Sequence, residues 1–263
     1  MADPEYQKKY GFNIVESRMI NNHGSLINEE ISEKQKVVVG TNTMPLEDWV
    51  KTRAFSWMIS LLYFDKLLQI PFTILNKLYS IDYKELVEAF LDANLKKEPI
   101  LAEIALFFIK KAEDIQKGGA EFCESDQYLN IWWPADELIM IKLCTEDKLN
   151  AFYGEAEKVL NHLLKKKEID YDYQIINEVC LLNKSLMKLP FQNADLNLKL
   201  FYNLWEIYKD CLSGKSAELQ KGDYNCLINR TDEKWDSWED WCQKVVWYGS
   251  RKGDYTYRCK NEK

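Results

Sequence analysis

The sequence predicts an α+β protein that is mainly helical, a bundle-like domain with a few short strands. Turn-forming residues are scarce, with 10 Gly and 6 Pro among 263 residues. Apolar residues recur at spacings of three and four over several long segments, which is typical of amphipathic helices packed on a shared core. Few segments show the β-branched runs or the strict alternation that predict strands. The length fits one large domain or two small ones.

Residues 1–44 are predicted to form a segment distinct from the mainly helical remainder at 45–263. They are polar and irregular, with a short helix over 3–10 and a short strand over 12–15. Residues 36–41 (Lys-Val-Val-Val-Gly-Thr) predict a further strand. Because its valine run is continuous, we expect this strand to be buried and covered on both faces. The region supplies few neighbours for it, so we expect additional structure to lie beside it.

The first long helix is predicted to begin after Thr43, whose side chain can cap it, and to run to about residue 68. Pro45 in the first turn and the acidic pair just after it suit a helix N-terminus. Its apolar residues lie at helical spacing and predict a wide buried stripe. Pro71 is expected to end this helix.

The later elements follow from the same two periodicities. Helical spacing predicts further helices over residues 82–94, 99–116, 134–167 with a kink near Thr145, 173–188, 203–212 and 235–248. Alternation or β-branched composition predicts extended segments over residues 195–201, 224–228 and 255–259. Residues 117–133 predict an ordered loop that carries a pair of tryptophans.

Charge and targeting signals narrow the class of protein. The formal net charge is −7, whereas phosphate-backbone binding needs clustered Lys and Arg, so no nucleic-acid partner is expected. No apolar stretch approaches the roughly 20 residues of a membrane span, so no span is expected. The first residues lack the apolar region of a secretory signal, so we expect a cytoplasmic protein.

The cysteines, histidines and short motifs of the sequence do not form a recognisable catalytic site. Seven cysteines occur, no two of them closer than 15 positions, so no close-spaced metal-binding pair exists and we expect reduced, structural thiols. The two histidines, His23 and His162, belong to no metal-binding array. His23 lies in a turn-rich loop and is the better functional candidate of the two, since loops often carry function. No nucleophile elbow or phosphate loop is present, and we assign no catalytic residue and no metal ligand.

A first candidate site lies where the strand at 36–41 meets the helix that follows it. A strand end beside a helix start is a natural ligand-facing corner in α/β folds. Asn42 can hydrogen-bond a polar ligand, Asp48 and Arg53 can pair one turn apart, and Trp49 can line the pocket. A helix cap with a packing tryptophan explains the same residues, and both interpretations stay open.

A second candidate surface is the aromatic C-terminal region. Trp235, Trp238, Trp247 and Tyr248 are its most prominent side chains. Helical spacing places residues 235, 238, 242, 245 and 248 on one face. Such a stripe suits docking against a core, and it also suits a platform on which a sugar stacks.

Three sequence segments carry a resemblance to one family. They are residues 1–6 (Met-Ala-Asp-Pro-Glu-Tyr) with Tyr10-Gly11, residues 38–49 with Thr-Asn-Thr-Met followed by Glu-Asp-Trp, and residues 245–253 (Val-Val-Trp-Tyr-Gly-Ser-Arg-Lys-Gly). The first resembles the exit from the barrel of B12-binding-domain radical S-adenosylmethionine (SAM) proteins. The other two are similar to the C-terminal region of the same family. The resemblance covers the whole chain, as the family's C-terminal third.

The resemblance implies a function that depends on another polypeptide segment. The family's catalytic cysteine triplet, C-x₃-C-x₂-C, holds a [4Fe–4S] cluster, and this chain lacks both the triplet and the cobalamin-binding domain. The [4Fe–4S] cluster, SAM and cobalamin therefore belong to the parent enzyme, and no cofactor is expected in this chain. We expect a split or truncated product whose partner is the missing radical SAM barrel.

The implied role is non-catalytic, closing the barrel and shaping the substrate pocket with Asn42, Asp48, Trp49 and Arg53. The resemblance points to modification of surface-polysaccharide precursors or related metabolites. The alternative is a free-standing helical interaction module, or a carbohydrate-binding module that uses the tryptophan-rich C-terminus.

Overall fold

The N-terminal segment is a short helix followed by a two-stranded hairpin. The computed structural model describes residues 3–26, 33–192, 194–216 and 218–261, with the side chain of residue 261 excluded, so Met1 and Ala2 of the family motif lie outside it. Helix α1 (Pro4–Tyr10) begins at Asp3, whose carboxylate accepts the Glu5 N–H at 2.9 Å, and it ends at Gly11 in a left-handed conformation.

The predicted strand at 36–41 has a neighbour. Strand β1 (Asn13–Arg18) pairs antiparallel with β2 (Lys34–Gly40), and within the described residues this sheet has two strands. The expectation of a strand covered on both faces is wrong, because Val39 is buried whereas Val37 and Val38 are half-buried. The continuous valine run therefore does not lie in the middle of a larger sheet.

The first long helix is interrupted rather than continuous. Helix α2 (Leu46–Ile59) passes into a π-helical turn (Ser60–Phe64), in which the Asp65 N–H donates to the Ser60 carbonyl oxygen at 2.8 Å. Helix α3 (Gln69–Tyr79) then leaves at 92° to the first segment.

Two predictions about the ends of this helix are wrong. Thr43 does not cap α2, since Pro45 holds the N-cap position and Thr41 instead accepts the Met44 N–H at 3.1 Å in a tight turn. Pro71 does not end a helix but lies in the first turn of α3, where a missing N–H costs little.

The remaining helices follow the predicted order. They are α4 (Tyr83–Leu91), α5 (Pro99–Gln116), α6 (Ala135–Thr145), α7 (Leu149–Lys166), α8 (Tyr173–Leu186) and α9 (Leu204–Leu212). The prediction for residues 99–116 is confirmed in full. The kink predicted near Thr145 is a complete break, in which Asp147 adopts a positive φ of 57°. The mainly helical α+β class is confirmed, while the resemblance to a barrel exit stays a prediction.

No single helix in the described ranges combines the length and apolarity needed to cross a membrane. The segments 46–64 and 69–79 reach that threshold only when they are taken together across their sharp bend.

A buried asparagine holds the turn between the π-helical segment and α3. The Asn183 side chain donates to the carbonyl oxygens of Lys66 (2.8 Å) and Leu67 (2.9 Å) and accepts the Ile70 N–H at 3.0 Å. The Tyr153 hydroxyl also donates to the Leu67 oxygen, at 2.7 Å. Helices α7 and α8 thus fix the backbone that leads away from Asp65.

Two further antiparallel sheets complete the fold. Residues 117–133, predicted as a loop, contain the hairpin β3 (Cys123–Ser125) and β4 (Ile131–Trp133). Strands β5 (Leu196–Tyr202), β6 (Lys221–Ile228) and β7 (Cys259–Asn261) form a three-stranded sheet in the order β5-β6-β7.

The last predicted helix is three short pieces. Helix α10 (Trp238–Trp241) leads into a second π-helical segment (Cys242–Trp247) and then into α11 (Tyr248–Ser250). The wider π turn breaks the α-helical spacing on which a common face for residues 235–248 was predicted. As a result Cys242 and Val245 are buried while Tyr248 is 51% exposed.

The expectation that all seven cysteines are free thiols is wrong. Cys226 and Cys259, on adjacent strands β6 and β7, form a disulfide with a Cα–Cα distance of 5.2 Å. Sequence spacing missed this pair because 33 positions separate the two residues. The other five cysteines are free, and three of them (Cys123, Cys180 and Cys242) are buried.

Candidate functional site

Asn42 of the first candidate site packs against the end of α1. Its backbone N–H donates to the Tyr10 carbonyl oxygen at 2.9 Å, and its side-chain amide lies 3.5 Å from the Lys9 carbonyl oxygen. A side chain at Gly11 would collide with the Asn42 amide, and Gly11 has a positive φ of 60°. The glycine therefore allows the close approach of α1 to the turn at residues 41–44.

Asp48 and Arg53 do not pair with each other. Five positions on an α-helix turn through about 140°, so the two side chains leave α2 in different directions. Arg53 instead donates to Glu121 at 2.6 Å, and its guanidinium lies 4.6 Å from the Trp57 ring centroid. Asp48 is exposed, 4.0 Å from the Lys51 ammonium.

Trp49 is half-buried against the hydrophobic core, as a packing tryptophan would be. Together the four predicted pocket residues border one corner of the fold, but they do not converge on a common point.

The aromatic C-terminal residues also divide into separate roles. The Trp235 N–H donates to the Leu189 carbonyl oxygen at 3.2 Å, and the Trp238 ring packs edge-on against Tyr128. Trp247 stacks on Tyr248 with ring centroids 5.2 Å apart. Tyr248 is exposed, whereas the three tryptophans are half-buried, so the four rings do not form one flat platform.

The most unusual electrostatic feature is a buried group that we call the acid cluster, formed by His23, Asp65, Asp136, Glu137 and Tyr255. Asp65 follows the first π-helical segment, and Asp136 and Glu137 lie in the first turn of α6. His23 comes from the N-terminal loop and Tyr255 from the C-terminal segment. The cluster therefore joins four distant parts of the chain.

His23 is held on two sides. Its ring Nε2 lies 2.6 Å from the Glu137 carboxylate, and its backbone N–H donates to the Trp132 carbonyl oxygen at 2.9 Å. The imidazole packs against the rings of Trp133 and Trp247, with centroids 5.1 and 5.2 Å away. Nδ1 is buried and has no hydrogen-bond partner among the described residues.

Two carboxyl groups of the cluster, those of Asp65 and Asp136, have raised pKa values. Burial, followed by the nearby Asp136 and Glu137, raises the pKa of Asp65 well above its usual range, and Tyr255 opposes this only in part. Burial and Glu137 raise the pKa of Asp136 to about 6, against the opposing effect of backbone N–H groups at the start of α6. Burial thus favours the protonated forms of Asp65 and Asp136 over their ionised forms.

Tyr255 closes the cluster from the C-terminal side. Burial, with the nearby carboxyl groups, raises the pKa of its hydroxyl, so the hydroxyl stays protonated. The Tyr255 carbonyl oxygen accepts the Lys188 N–H at 3.0 Å. The buried Lys188 ammonium pairs with Glu233 (2.8 Å) and Asp254 (3.0 Å), which fixes the segment that carries Tyr255.

The acid cluster combines proton donors and acceptors, but four of its five side chains are buried and Asp136 is half-buried. Asp65 and Glu137 are 6% and 7% exposed, so the arrangement suits holding chain segments together better than acting on a substrate. No group of His, Cys, Asp and Glu among the described residues is arranged to hold a metal ion.

Sequence reasoning singled out His23 and Trp247 separately but missed Asp65, Asp136 and Glu137. One usable signal was Asp65 itself, an acid in the mainly apolar stretch of residues 61–70.

A comparison of the chain with protein-family models gives no match, and a comparison with curated proteins gives no significant match.

Proposed function

We propose that this chain is the non-catalytic C-terminal portion of a cobalamin-dependent radical SAM enzyme, and that it docks on the barrel through its N-terminal segment. The observation that carries the proposal is an exposed apolar surface, which we call the docking patch, at the segment that resembles a barrel exit. It comprises Tyr6, Tyr10, Met44 and Leu46, which are 48%, 40%, 38% and 44% exposed. Exposed apolar surfaces of this kind often mark sites of protein association.

The docking patch is supported by contacts that join its parts. The Tyr6 and Tyr10 rings lie 4.4 Å apart on α1. The Asn42 N–H bonds to Tyr10, and a backbone bridge between Thr41 and Met44 closes the turn that leads to α2. The helix, the turn and the start of α2 are therefore tied into one surface.

The adjoining sheet supports the same role. Strands β1 and β2 form a two-stranded sheet in the described part of the chain, and such a hairpin is marginally stable by itself. Strand edges readily accept further strands from another chain. A barrel segment placed beside this hairpin would extend the sheet and cover the docking patch.

In this arrangement the predicted pocket residues border the interface. Asn42 and Asp48 are exposed beside the docking patch, while Trp49 and Arg53 support the corner from beneath. The chain would close the barrel and shape a pocket for surface-polysaccharide precursors or related metabolites. The [4Fe–4S] cluster, SAM and cobalamin would be bound by the parent enzyme's other parts.

A binding experiment tests the docking. The partner is the product of a neighbouring reading frame that encodes C-x₃-C-x₂-C, and calorimetry measures its affinity for the full chain. We expect Tyr10→Glu with Leu46→Glu to weaken binding at least tenfold, because a charge enters an apolar contact. The matched control is Leu95→Glu with Phe191→Glu, which alters two exposed apolar side chains elsewhere. The absence of such a frame, or equal losses in both variants, contradicts the proposal.

A reconstitution experiment tests the non-catalytic role. The full chain is incubated with iron, sulfide and SAM, and then examined for cluster absorbance and for SAM cleavage. We expect neither, since the chain lacks the cysteine triplet. A bound cluster or cleaved SAM in the chain alone overturns this assignment.

The stacked pair of Trp247 and Tyr248 favours one alternative, a carbohydrate-binding module. The two rings are nearly parallel, at 17°, and Tyr248 offers an exposed face of the kind on which sugars stack. A titration of tryptophan fluorescence with a glycan panel tests this role, with Tyr248→Ala as the loss-of-binding variant. The absence of a response across the panel counts against it.

A further inference from the structure

A cleft of about 350 Å³ lies between the first π-helical segment, α3, the start of α4 and the end of α9. We propose that this cleft binds a small molecule that carries a phosphate group. Its volume lies at the lower end of small-molecule sites in proteins, which suits a metabolite of monosaccharide size. The proposal is independent of the docking function, because it concerns a different surface of the chain.

The charge of the lining is the first argument. Two exposed lysines, Lys77 from the last turn of α3 and Lys215 from the turn after α9, line the cleft, and its described lining residues include no carboxylate. The nearby Asp210 is not part of the lining. Burial raises the pKa of the Cys211 thiol, Lys77 lowers it, and Asp210 raises it. Two ammonium groups at one cleft favour a ligand with more than one negative charge.

The turn that supplies Lys215 is built for this position. Gly214 has a positive φ of 68°, and the Lys215 N–H donates to the Asp210 carbonyl oxygen at 2.8 Å. This bond closes the turn after α9, and Lys215 in that turn lines the cleft.

Two aromatic residues, Tyr63 and Tyr83, also line the cleft. The rings of Tyr63 and Tyr83 meet edge to face, with centroids 5.2 Å apart. Burial raises the pKa of Tyr83, so its hydroxyl remains a proton donor at neutral pH. The cleft thus offers cations and hydroxyl donors for a phosphate group and an apolar ring face for the carbon skeleton that bears it.

Three other cavities lack this combination. The cavity beside Tyr79 is lined by Asp170 and Asp172, and the one beside His162 by Asp92 and Glu98. The cavity beside Arg230 includes Asp147. Each of these linings therefore places at least one carboxylate beside its cations, where it would repel a phosphate group, whereas Lys77 and Lys215 line their cleft without one among its described lining residues.

Cys211 lines the cleft and provides a local probe of its occupancy. The experiment measures the rate at which iodoacetamide alkylates Cys211 in the full chain, by mass spectrometry of its peptide. The rate is compared without ligand and with orthophosphate, glucose 6-phosphate or glucose, each up to about 10 mM, above the ~1 mM Kd range of weak ligands. We expect glucose 6-phosphate to slow alkylation at least twofold and neutral glucose to leave it unchanged.

Charge variants decide whether the protection arises in the cleft. Lys77→Gln with Lys215→Gln should weaken protection about tenfold, because each lysine contributes a charge-assisted bond. Lys158→Gln with Lys166→Gln, which removes two lysines from another cavity, should leave it unchanged. Because Lys77 also lowers the pKa of the Cys211 thiol, the alkylation rate of each variant with ligand is compared with the rate of the same variant without ligand.

Protection by either phosphate-bearing probe that depends on Lys77 and Lys215 supports the site. No protection, protection that survives in the double variant, or equal protection by glucose overturns it.

Discussion

The His23 imidazole and the Glu137 carboxylate, 114 positions apart in the sequence, meet at 2.6 Å in the interior of the protein. Their side chains are 3% and 10% exposed. The pair fastens the N-terminal loop to the first turn of α6, beside the break in the first long helix. It is one of the contacts, together with the buried Val39, through which the N-terminal segment reaches the core of the fold.

Breaking this pair should destabilise the protein. We expect His23→Ala to lower the free energy of unfolding by about 3 kcal/mol, because it leaves a buried carboxylate without its partner. Urea denaturation measures the loss, and the exposed His162→Ala should change stability by less than about 0.5 kcal/mol. A double variant with Glu137→Gln should lose less than the sum of the single losses, since the two residues share one interaction.

Removing the Asp65 charge should stabilise the protein in a pH-dependent way. Because the pKa values of Asp65 and Asp136 are raised on folding, the native state holds protons that the unfolded chain releases. These two groups contribute their full stabilisation below about pH 4, which is the pKa of an aspartate in the unfolded chain. The contribution is lost as the pH rises through their pKa values in the native state, which is about 6 for Asp136.

Asp65→Asn should therefore match the unmodified protein near pH 4 and exceed its unfolding free energy at pH 8. The gain should exceed the ~0.5 kcal/mol that is typical of surface substitutions and should grow steadily between these two pH values. Urea denaturation across this pH range measures it, with the exposed Asp92→Asn as control. A difference that does not grow with pH would falsify the assignment of a raised pKa.

Asn183 should be far more important to stability than its polar character suggests. Asn183→Ala leaves the Ile70 N–H and the Lys66 carbonyl oxygen buried without this partner, so we expect a loss of about 3 kcal/mol. Thermal unfolding followed by circular dichroism tests this. The exposed Asn177→Ala, on the same helix, should change stability by less than about 0.5 kcal/mol.

The disulfide predicts a definite thiol count. After unfolding without reductant, the chain should show five reactive thiols, and seven after reduction. Cys226→Ser should destabilise the oxidised protein by about 4 kcal/mol, as expected for a loop closed across 33 positions. Seven reactive thiols without reductant would contradict the disulfide and would support the reduced cysteines that the sequence spacing predicted.

The sequence predicted helices well wherever apolar periodicity was regular. Residues 99–116 and 173–188 are examples, because their buried faces follow a simple helical repeat. The two π-helical segments could not be predicted, since each inserts a wider turn without a proline or glycine to mark it. At residues 60–68 and 242–248 the chain therefore departs from the continuous α-helix that was predicted, because tertiary packing overrides local spacing there.

The candidate sites show a second limit. Pairing of Asp48 with Arg53 was inferred from their closeness in sequence, but Arg53 pairs with Glu121, 68 positions away. The acid cluster draws on residues far apart along the chain, and no local pattern joins them. Only His23 was marked as a functional candidate beforehand, because it lies in a turn-rich loop.

The composition of the acid cluster also constrains when the protein can finish folding. Its members run from residue 23 to residue 255, so the contacts close very long loops, which is slow and entropically costly. During synthesis, the N-terminal loop must wait for α6 and then for Tyr255, which emerges long after the helices it packs against. We expect the helical middle of the chain to form first, and the two ends to join it only in the final step.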